Sequence, residues 1–350
     1  MSNNFRKIDS NEIAKLAGVS RSTVSRVVNN YPNVPPETRE KVMKFIEEYN
    51  YYPNISARTL AGIKVKTIGL FIVDLEIDTV ATNYYYYMFI GSVIEQASAR
   101  GYHVLTYLIK DHAGLNSIKE VFYQRRIDGG IFVGANNHEP IIEELIAEGF
   151  YVGVLDQDLA GRMEPNRVVC NVDNEASAEK VVDYLVANNH RKIGTILGSL
   201  KSFSGVARYQ GFLRGVDKHG VDVPDEWIMQ AQFKENISYD VMTDLLKKKG
   251  KLPTAIVAAN DNIAIGAIKA IKDYGLRVPE DISVIGFDDL ITSAYFKPTL
   301  TTVRVDLVEM GKKLTATFID VVERKEKLSH VKMKFETVIV ERESCRKINI

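Results

Sequence analysis

Two kinds of hydrophobic patterning divide this chain. Over residues 9–48 apolar positions recur at helical spacing in short bursts, with Ile13, Ala14 and Leu16 in the first and Val19, Val24, Val27 and Val28 in the second. Three short helices are predicted there. From residue 67 the pattern changes, and short continuous apolar runs alternate with amphipathic stretches. Strands are predicted over 67–73, 103–108, 130–133, 151–155, 192–197, 254–258 and 282–286. Helices are predicted over 87–100, 116–125, 140–149, 175–188, 207–219 and 263–274. This alternation specifies parallel sheets covered on both faces, with ligands at the carboxyl ends of the strands. The fold class expected is an N-terminal all-α helix-turn-helix domain followed by an α/β core of two doubly wound parallel-sheet lobes.

Local punctuation supports the first part. Asp9 can cap the first helix, with Glu12 completing a capping box. Gly18 breaks that helix where a positive φ is easiest without a Cβ. Ser20 is a good N-cap for a second helix over 21–28, and Asn29 and Asn30 suit its end. Two helices joined by a tight glycine turn form the helix-turn-helix, whose second helix lies in the DNA major groove. Arg21, Ser22 and Arg26 are then the base readers, arginine being suited to bidentate contact with guanine. Ser20, Thr23, Ser25 and Asn29 are better placed as phosphate anchors. An ordinary αα-hairpin with a solvated basic face is the alternative.

Charge sharpens the picture. The chain of 350 residues has no formal net charge, yet residues 1–66 hold eleven Lys plus Arg against six Asp plus Glu. A basic head on a mildly acidic body suits nucleic-acid binding by the head alone. The length calls for two or three domains. No apolar run reaches membrane-span length and no signal peptide opens the chain, so the cytoplasm is the expected location. The two cysteines, Cys170 and Cys345, imply neither a disulfide framework nor a thiolate metal cage. No cofactor and no metal is expected.

The head is more specific than a generic basic hairpin. The run IAKLAGVSRSTVSRVVNN, followed by PPETREKVMKFIEEYNYYPNISARTLAG, resembles the start of LacI/GalR-family transcriptional regulators. It departs at Val34-Pro35-Pro36, where the family has Ser or Thr before the third helix; Pro35 cannot cap through a side-chain oxygen. The resemblance continues through HRKIGTILG, ARYQGFLRGV, PTAIVAANDNIAIGAIKAI and VPEDISVIGFDDL, and so covers essentially the whole chain. At Asn189-His190 the family has Gly-His, and Asn can adopt the same positive φ.

The resemblance implies a DNA-binding domain over 1–53, a hinge over 54–66 and a periplasmic-binding-protein-like effector core over 67–350. Lobe 1 would span about 67–169 plus 302–330, and lobe 2 about 170–301 plus 331–350, with a tail strand near 332–341. The hinge helix, capped by Asn54 and ended by Gly62, is too short to be stable in water and would order on DNA. Leu60 would wedge between base steps in the minor groove, Ala57 allows close approach and Arg58 reaches phosphate. Matching the family's motifs gives Asp156, Arg208, Asn260 and Asp288 as contacts to effector hydroxyls; Asp289 follows Asp288, and the alternative is that one of the two merely caps local backbone. Tyr84 or Tyr85, in a run of four tyrosines, could stack on a sugar ring. Val73, Gly134, Val305 and Leu307 stand where lactose-type members carry polar or aromatic groups, and a purine remains possible because purine-binding members share the Arg and Asp positions. Partners implied are inverted-repeat operator DNA, a small sugar-like effector and a second copy of the chain. No C-terminal leucine heptad is present, which limits the assembly to a dimer. Lys312 and Lys313 fit a phosphorylated carrier protein poorly, because Ala316 and Asp320 occupy the matching face.

Other classes fit less well. The sequence contains no Walker-type loop, no G-x-S-x-G elbow, no His-Glu-x-x-His and no G-x-G-x-x-G opening a helix after a strand. An enzyme is therefore not expected. A secreted binding protein would share the body but would carry a secretion signal in place of the basic head.

Overall fold

The computed structural model describes residues 8–52, 64–73, 84–158, 161–162, 164–248, 250–323 and 331–349. The chain divides into two compact units, Met1–Val65 and Lys66–Ile350.

The first unit contains α1 (Ser10–Ala17), α2 (Arg21–Val28) and α3 (Pro36–Glu48). Asp9 and Glu12 form the expected capping box, and Gly18 ends α1 with φ 62°. Ser20 caps α2 by accepting from the Thr23 N–H. Pro35 makes no side-chain cap, and α3 starts on Pro36, whose missing N–H costs nothing at that position. Asn30, with φ 54°, takes the left-handed turn after α2. The miniature core is Ile13, Ala14, Ala17, Val24, Val27, Val34 and Val42. Leu16 is 41% exposed rather than inward, because Ile13, Ala14 and Ala17 already fill the buried side of a two-turn helix. The hinge positions Asn54, Ala57, Arg58 and Leu60 lie outside the described residues.

The second unit holds two six-stranded sheets. The first runs β11-β5-β4-β3-β1-β2 and is parallel throughout; the second runs β12-β10-β9-β8-β6-β7, with only β12 antiparallel. Their strands are β1 (Thr67–Val73), β2 (His103–Ile109), β3 (Gly130–Val133), β4 (Val152–Leu155), β5 (Arg167–Val172), β6 (Ile193–Leu197), β7 (Ile228–Gln230), β8 (Ala255–Ala258), β9 (Ser283–Asp288), β10 (Thr301–Arg304), β11 (Val331–Phe335) and β12 (Val338–Val340). Helices follow the strands: α4 (Tyr84–Ala99), α5 (His112–Tyr123), α6 (Pro140–Ala147), α7 (Asn174–Ala187), α8 (Phe203–Lys218), α9 (Glu235–Lys247), α10 (Asp261–Asp273) and α11 (Leu307–Glu323). In each sheet the winding direction reverses once, between β1 and β3 and between β6 and β8. Crevices for ligands form outside such switch points.

The expected lobe boundaries shift. Residues 170–172 finish β5 in the first sheet, and Thr301–Arg304 pairs with β9 in the second. The single tail strand expected near 332–341 is two strands. Val331–Phe335 pairs with β5 in the first sheet, and Val338–Val340 pairs with β10 in the second. The reason is the need to satisfy open sheet edges: β11 gives the backbone groups of β5 partners before the chain crosses back. Among the described residues no helix is long and apolar enough to cross a membrane.

Candidate functional site

Two surfaces concentrate polar chemistry, one in each unit. On the first unit, Arg21, Ser22, Ser25 and Arg26 are exposed along one face of α2, while Val24 and Val27 are buried on the other. Thr23 and Asn29 are half-buried at the edges of that face. Arg21 Nε donates to Ser10 Oγ at 3.1 Å, which ties the start of α2 to the start of α1. The Ser20 hydroxyl lies 2.7 Å from that of Ser22 and 2.9 Å from that of Thr23. Asn29 Nδ2 donates to Ser25 Oγ at 3.3 Å, and its Oδ1 is buried with no partner among the described residues. Sequence reasoning missed Arg39. Its guanidinium reaches from α3 to Asn30 Oδ1 (2.8 Å) and to the Tyr31 carbonyl (2.5 Å), and so locks the end of α2.

On the second unit, a cavity of ≈ 170 Å³ opens at the carboxyl ends of both sheets. Cavities of this order hold one small organic molecule. Its walls include Val73 at the end of β1, Gly134 after β3, Asp156 after β4, Ser199, Lys201, Ser202 and Ser204 after β6, Gln232 to Lys234 after β7, Asn260 after β8 and Asp288 on β9. Tyr85 and Arg208 project into it from α4 and α8. Five of the six expected effector residues are thus brought together: Tyr85, Asp156, Arg208, Asn260 and Asp288. Tyr84 is not. It is 44% exposed and lies outside the lining, because successive helical residues point about 100° apart. Of the four positions that depart from lactose-type members, Val73 and Gly134 line the cavity; Val305 and Leu307 are buried in the core and do not.

The polar groups form one network. Arg208 donates to Asn174 Oδ1 (2.9 Å), to the Ala259 carbonyl (2.5 Å) and to Asp288 Oδ1 (3.2 Å), and its guanidinium lies 3.6 Å above the Phe287 ring. Asp156 accepts from the Ser204 N–H (3.1 Å) and Asn174 Nδ2 (3.4 Å). With the Asn137 N–H donating to the Lys201 carbonyl at 2.9 Å, these bonds join the first-sheet side of the cleft to the second. Asn260 spends its Oδ1 as the cap of α10, on the Ile263 N–H at 2.9 Å. Burial pushes the Asp288 carboxyl up to about 6, with Arg208 opposing it and Asp156 adding to it. Burial likewise raises Asp156. Among the described residues Asp288 accepts a side-chain hydrogen bond from Arg208 alone, which leaves it acceptor capacity for ligand hydroxyls.

The neighbouring aspartates separate by role. Asp289 accepts from Arg304 Nε (2.7 Å) and an Arg342 terminal nitrogen (2.6 Å), and is spent on structure. Asp288 and Asp156 both adopt positive φ, 108° and 67°. Such backbone is costly for residues with a Cβ and clusters where side chains must be aimed. Asp261, fully buried beneath Asp288, accepts from the Leu290 N–H, Ser293 and Thr302, and burial lifts it to about 7. It anchors the loop after Asp288. Phe233 is a second aromatic wall that sequence reasoning missed, since no periodic signal marks the short strand before it.

Residues 11–54 match the family described as bacterial regulatory proteins, lacI family, and residues 182–345 match a periplasmic binding protein-like domain. A transcriptional repressor named PurR from Mannheimia succiniciproducens is 31% identical over 343 residues, covering 96% of this chain and 98% of that protein. A probable repressor named ExuR from Bacillus subtilis is 34% identical over 294 residues, covering 84% and 85%. Among solved structures, the Lac repressor dimer bound to operator and the anti-inducer ONPF superposes with TM-score 0.79 at 25% identity, over 97% of this chain and 100% of that one. A complex of the regulator CelR with cellobiose superposes with TM-score 0.74 at 25% identity, over 96% and 99%.

Proposed function

We infer the mechanism from one premise: this chain belongs to the lacI family of bacterial regulatory proteins and is a sequence-specific DNA-binding transcriptional regulator. It acts in the cytoplasm as a homodimer on an inverted-repeat operator, with Arg21, Ser22 and Arg26 reading base edges and Ser20, Thr23, Ser25 and Asn29 holding phosphates. Residues 54–66 form the hinge, with Leu60 as the minor-groove wedge. It represses genes of carbohydrate use, and a small sugar-like effector releases it.

The observation that carries this reading is the cleft itself. Two carboxylates, an arginine and an amide converge with Tyr85 and Phe233 in a cavity sized for one small molecule. Carboxylates and guanidinium serve adjacent hydroxyls, and aromatic rings cover the apolar face of a sugar. Asp156 belongs to the first lobe, and Arg208, Asn260 and Asp288 to the second, so one ligand touches both. A ligand that binds one lobe arrangement better than another shifts that equilibrium by its differential affinity. The shift acts on the hinge, whose ordering DNA binding requires. Because Asp156 is already bonded to Ser204 and Asn174, a ligand must join or replace those bonds, which couples occupancy to lobe geometry.

The test begins with selection of a DNA duplex from a randomised pool by the effector-free protein. Fluorescence anisotropy on that duplex is then followed while sugars are added. The expected result is a palindromic site and a sugar that weakens binding at least about tenfold, the lower range of allosteric coupling. A ligand that tightens DNA binding would reverse the sign and make the protein corepressor-dependent.

A further inference from the structure

The positive charges of the cleft are unequally used. Arg208 is neutralised by Asp288 and shares its remaining donors with Asn174 and Ala259. Lys201 stands at the rim. Lys234 is different. It lines the cavity half-buried, and its ammonium has no hydrogen bond or ion pair among the described residues. Its neighbour Glu235 is turned away into an ion pair with Lys269.

The backbone at Lys234 makes this placement stranger. Lys234 is the N-cap of α9 and makes no side-chain cap there. Lysine has no acceptor oxygen for the first-turn N–H groups, and its charge meets the positive end of the helix dipole. The two preceding residues, Gln232 and Phe233, both hold positive φ, 51° and 61°. The Ala231 N–H to Leu197 carbonyl bond (2.9 Å) and the Lys234 N–H to Ala231 carbonyl bond (2.8 Å) keep them so. Phe233 packs onto Gly198, where a Cβ would come within 2.2 Å of the ring. A strained loop thus delivers an aromatic ring and an uncompensated cation to the same wall. Places where local preference is overruled in this way are where function is expected.

We propose that the effector is a polyhydroxylated molecule bearing an anionic group, carboxylate or phosphate, and that Lys234 is the residue that recognises that group. This rests on the reading of the cleft as an effector site. Asp156, Asp288 and Asn260 take the hydroxyls, Tyr85 and Phe233 the ring faces, and Lys234 the acid. Binding neutralises a cation that the effector-free chain leaves exposed to the helix dipole.

Titration calorimetry on the full chain tests it with two matched triplets: glucose, glucuronate and glucose 6-phosphate, and galactose, galacturonate and galactose 6-phosphate. Hypoxanthine is included as a purine. An acid member of one triplet is expected to bind while its neutral parent does not. Its affinity should fall about 10- to 100-fold in Lys234→Met and recover in Lys234→Arg, the range for a hydrogen bond to a charged group. Whether the uronate or the phosphate binds decides the source of the charge. Lys234→Ser, which supplies a cap, is expected to raise the melting temperature of the effector-free chain by about 2 °C. A neutral sugar binding as well as its acid overturns this inference and leaves the sugar-sensing reading standing. Hypoxanthine binding in place of every sugar overturns both. An unchanged affinity in Lys234→Met, a lowered melting temperature in Lys234→Ser, or a panel in which no acid binds also overturns the inference.

Discussion

The reading helix and the effector cleft solve opposite problems. The polar side chains of α2 lie within ten consecutive residues, from Ser20 to Asn29, and most are exposed on one face. Those of the cleft come from positions as far apart as Tyr85 and Asp288, and Arg208, Asn260 and Asp288 are each less than a tenth exposed. On α2 most partners are near neighbours along the chain, such as Ser20 with Thr23, with Arg21 to Ser10 the longer reach. In the cleft they are distant, such as Arg208 with Asp288. A surface that meets a polyanion needs unsatisfied donors held in register, whereas a site that meets a small hydroxylated frame needs preorganised groups shielded from water. The difference teaches where damage should travel: across the core from the cleft, but hardly beyond the contact itself from the reading helix.

The largest effect should come from Arg208→Ala. It leaves Asp288, with a side chain only 4% exposed, without its counter-charge. Breaking a buried pair in this way costs about 3–5 kcal/mol. Denaturant unfolding of the core should register that loss, and effector response should vanish with it. A loss the size of a surface charge change would mean that the pair is not the keystone of the cleft.

Arg21→Ala should be felt almost wholly on DNA. Removing one bidentate base reader costs about 10- to 100-fold in affinity and relaxes preference at one position of each half-site. Repeating the duplex selection with the variant checks this. An even loss over all sequences would make Arg21 a phosphate anchor instead.

The smallest expected effect is in pH. Hydroxyl donors bind the ionised form of Asp288, whose carboxyl sits at about 6. Effector affinity should therefore fall about fourfold between pH 7.5 and 5.5, as the carboxylate is protonated. Stability runs the other way. A carboxyl raised in the folded state favours folding at low pH, and that contribution is lost as pH rises through about 6 for Asp288 and about 7 for Asp261. The effector-free core should accordingly melt higher at pH 5 than at pH 8 as far as these two groups are concerned. An effector affinity flat across this range would remove Asp288 from the ligand's contacts.

Much of this architecture was legible because it is local. Asp9, Gly18 and Ser20 announce α1 and α2 through caps, and β1 and β3 match their apolar runs residue for residue. β7 escaped because three residues carry no period, and β10 because TTVR shows no apolar run. Helix α9 escaped for a more telling reason: its N-cap is Lys234, which removes the usual start signal. The feature that hid the helix is the feature that makes the cleft unusual.

Within the site the same division holds. The family resemblance selected Asp156, Arg208, Asn260 and Asp288, and each falls at a strand end or a helix start that can be read along the chain. Residue types and motifs could not separate Tyr84 from Tyr85, because the two differ only in the direction a helix turns them relative to β1 and β3. Nor could they separate Asp288 from Asp289. That choice belongs to Arg304 and Arg342, which pair with Asp289 from β10 and from beyond β12 and leave Asp288 to Arg208. Periodicity, caps and turn residues are properties of neighbours along the backbone, and the sequence by itself determined what depends on them: the head, the alternation and the kind of chemistry present. Which side chain of an adjacent pair meets the ligand depends on partners more than a dozen residues away, and only tertiary packing decided it.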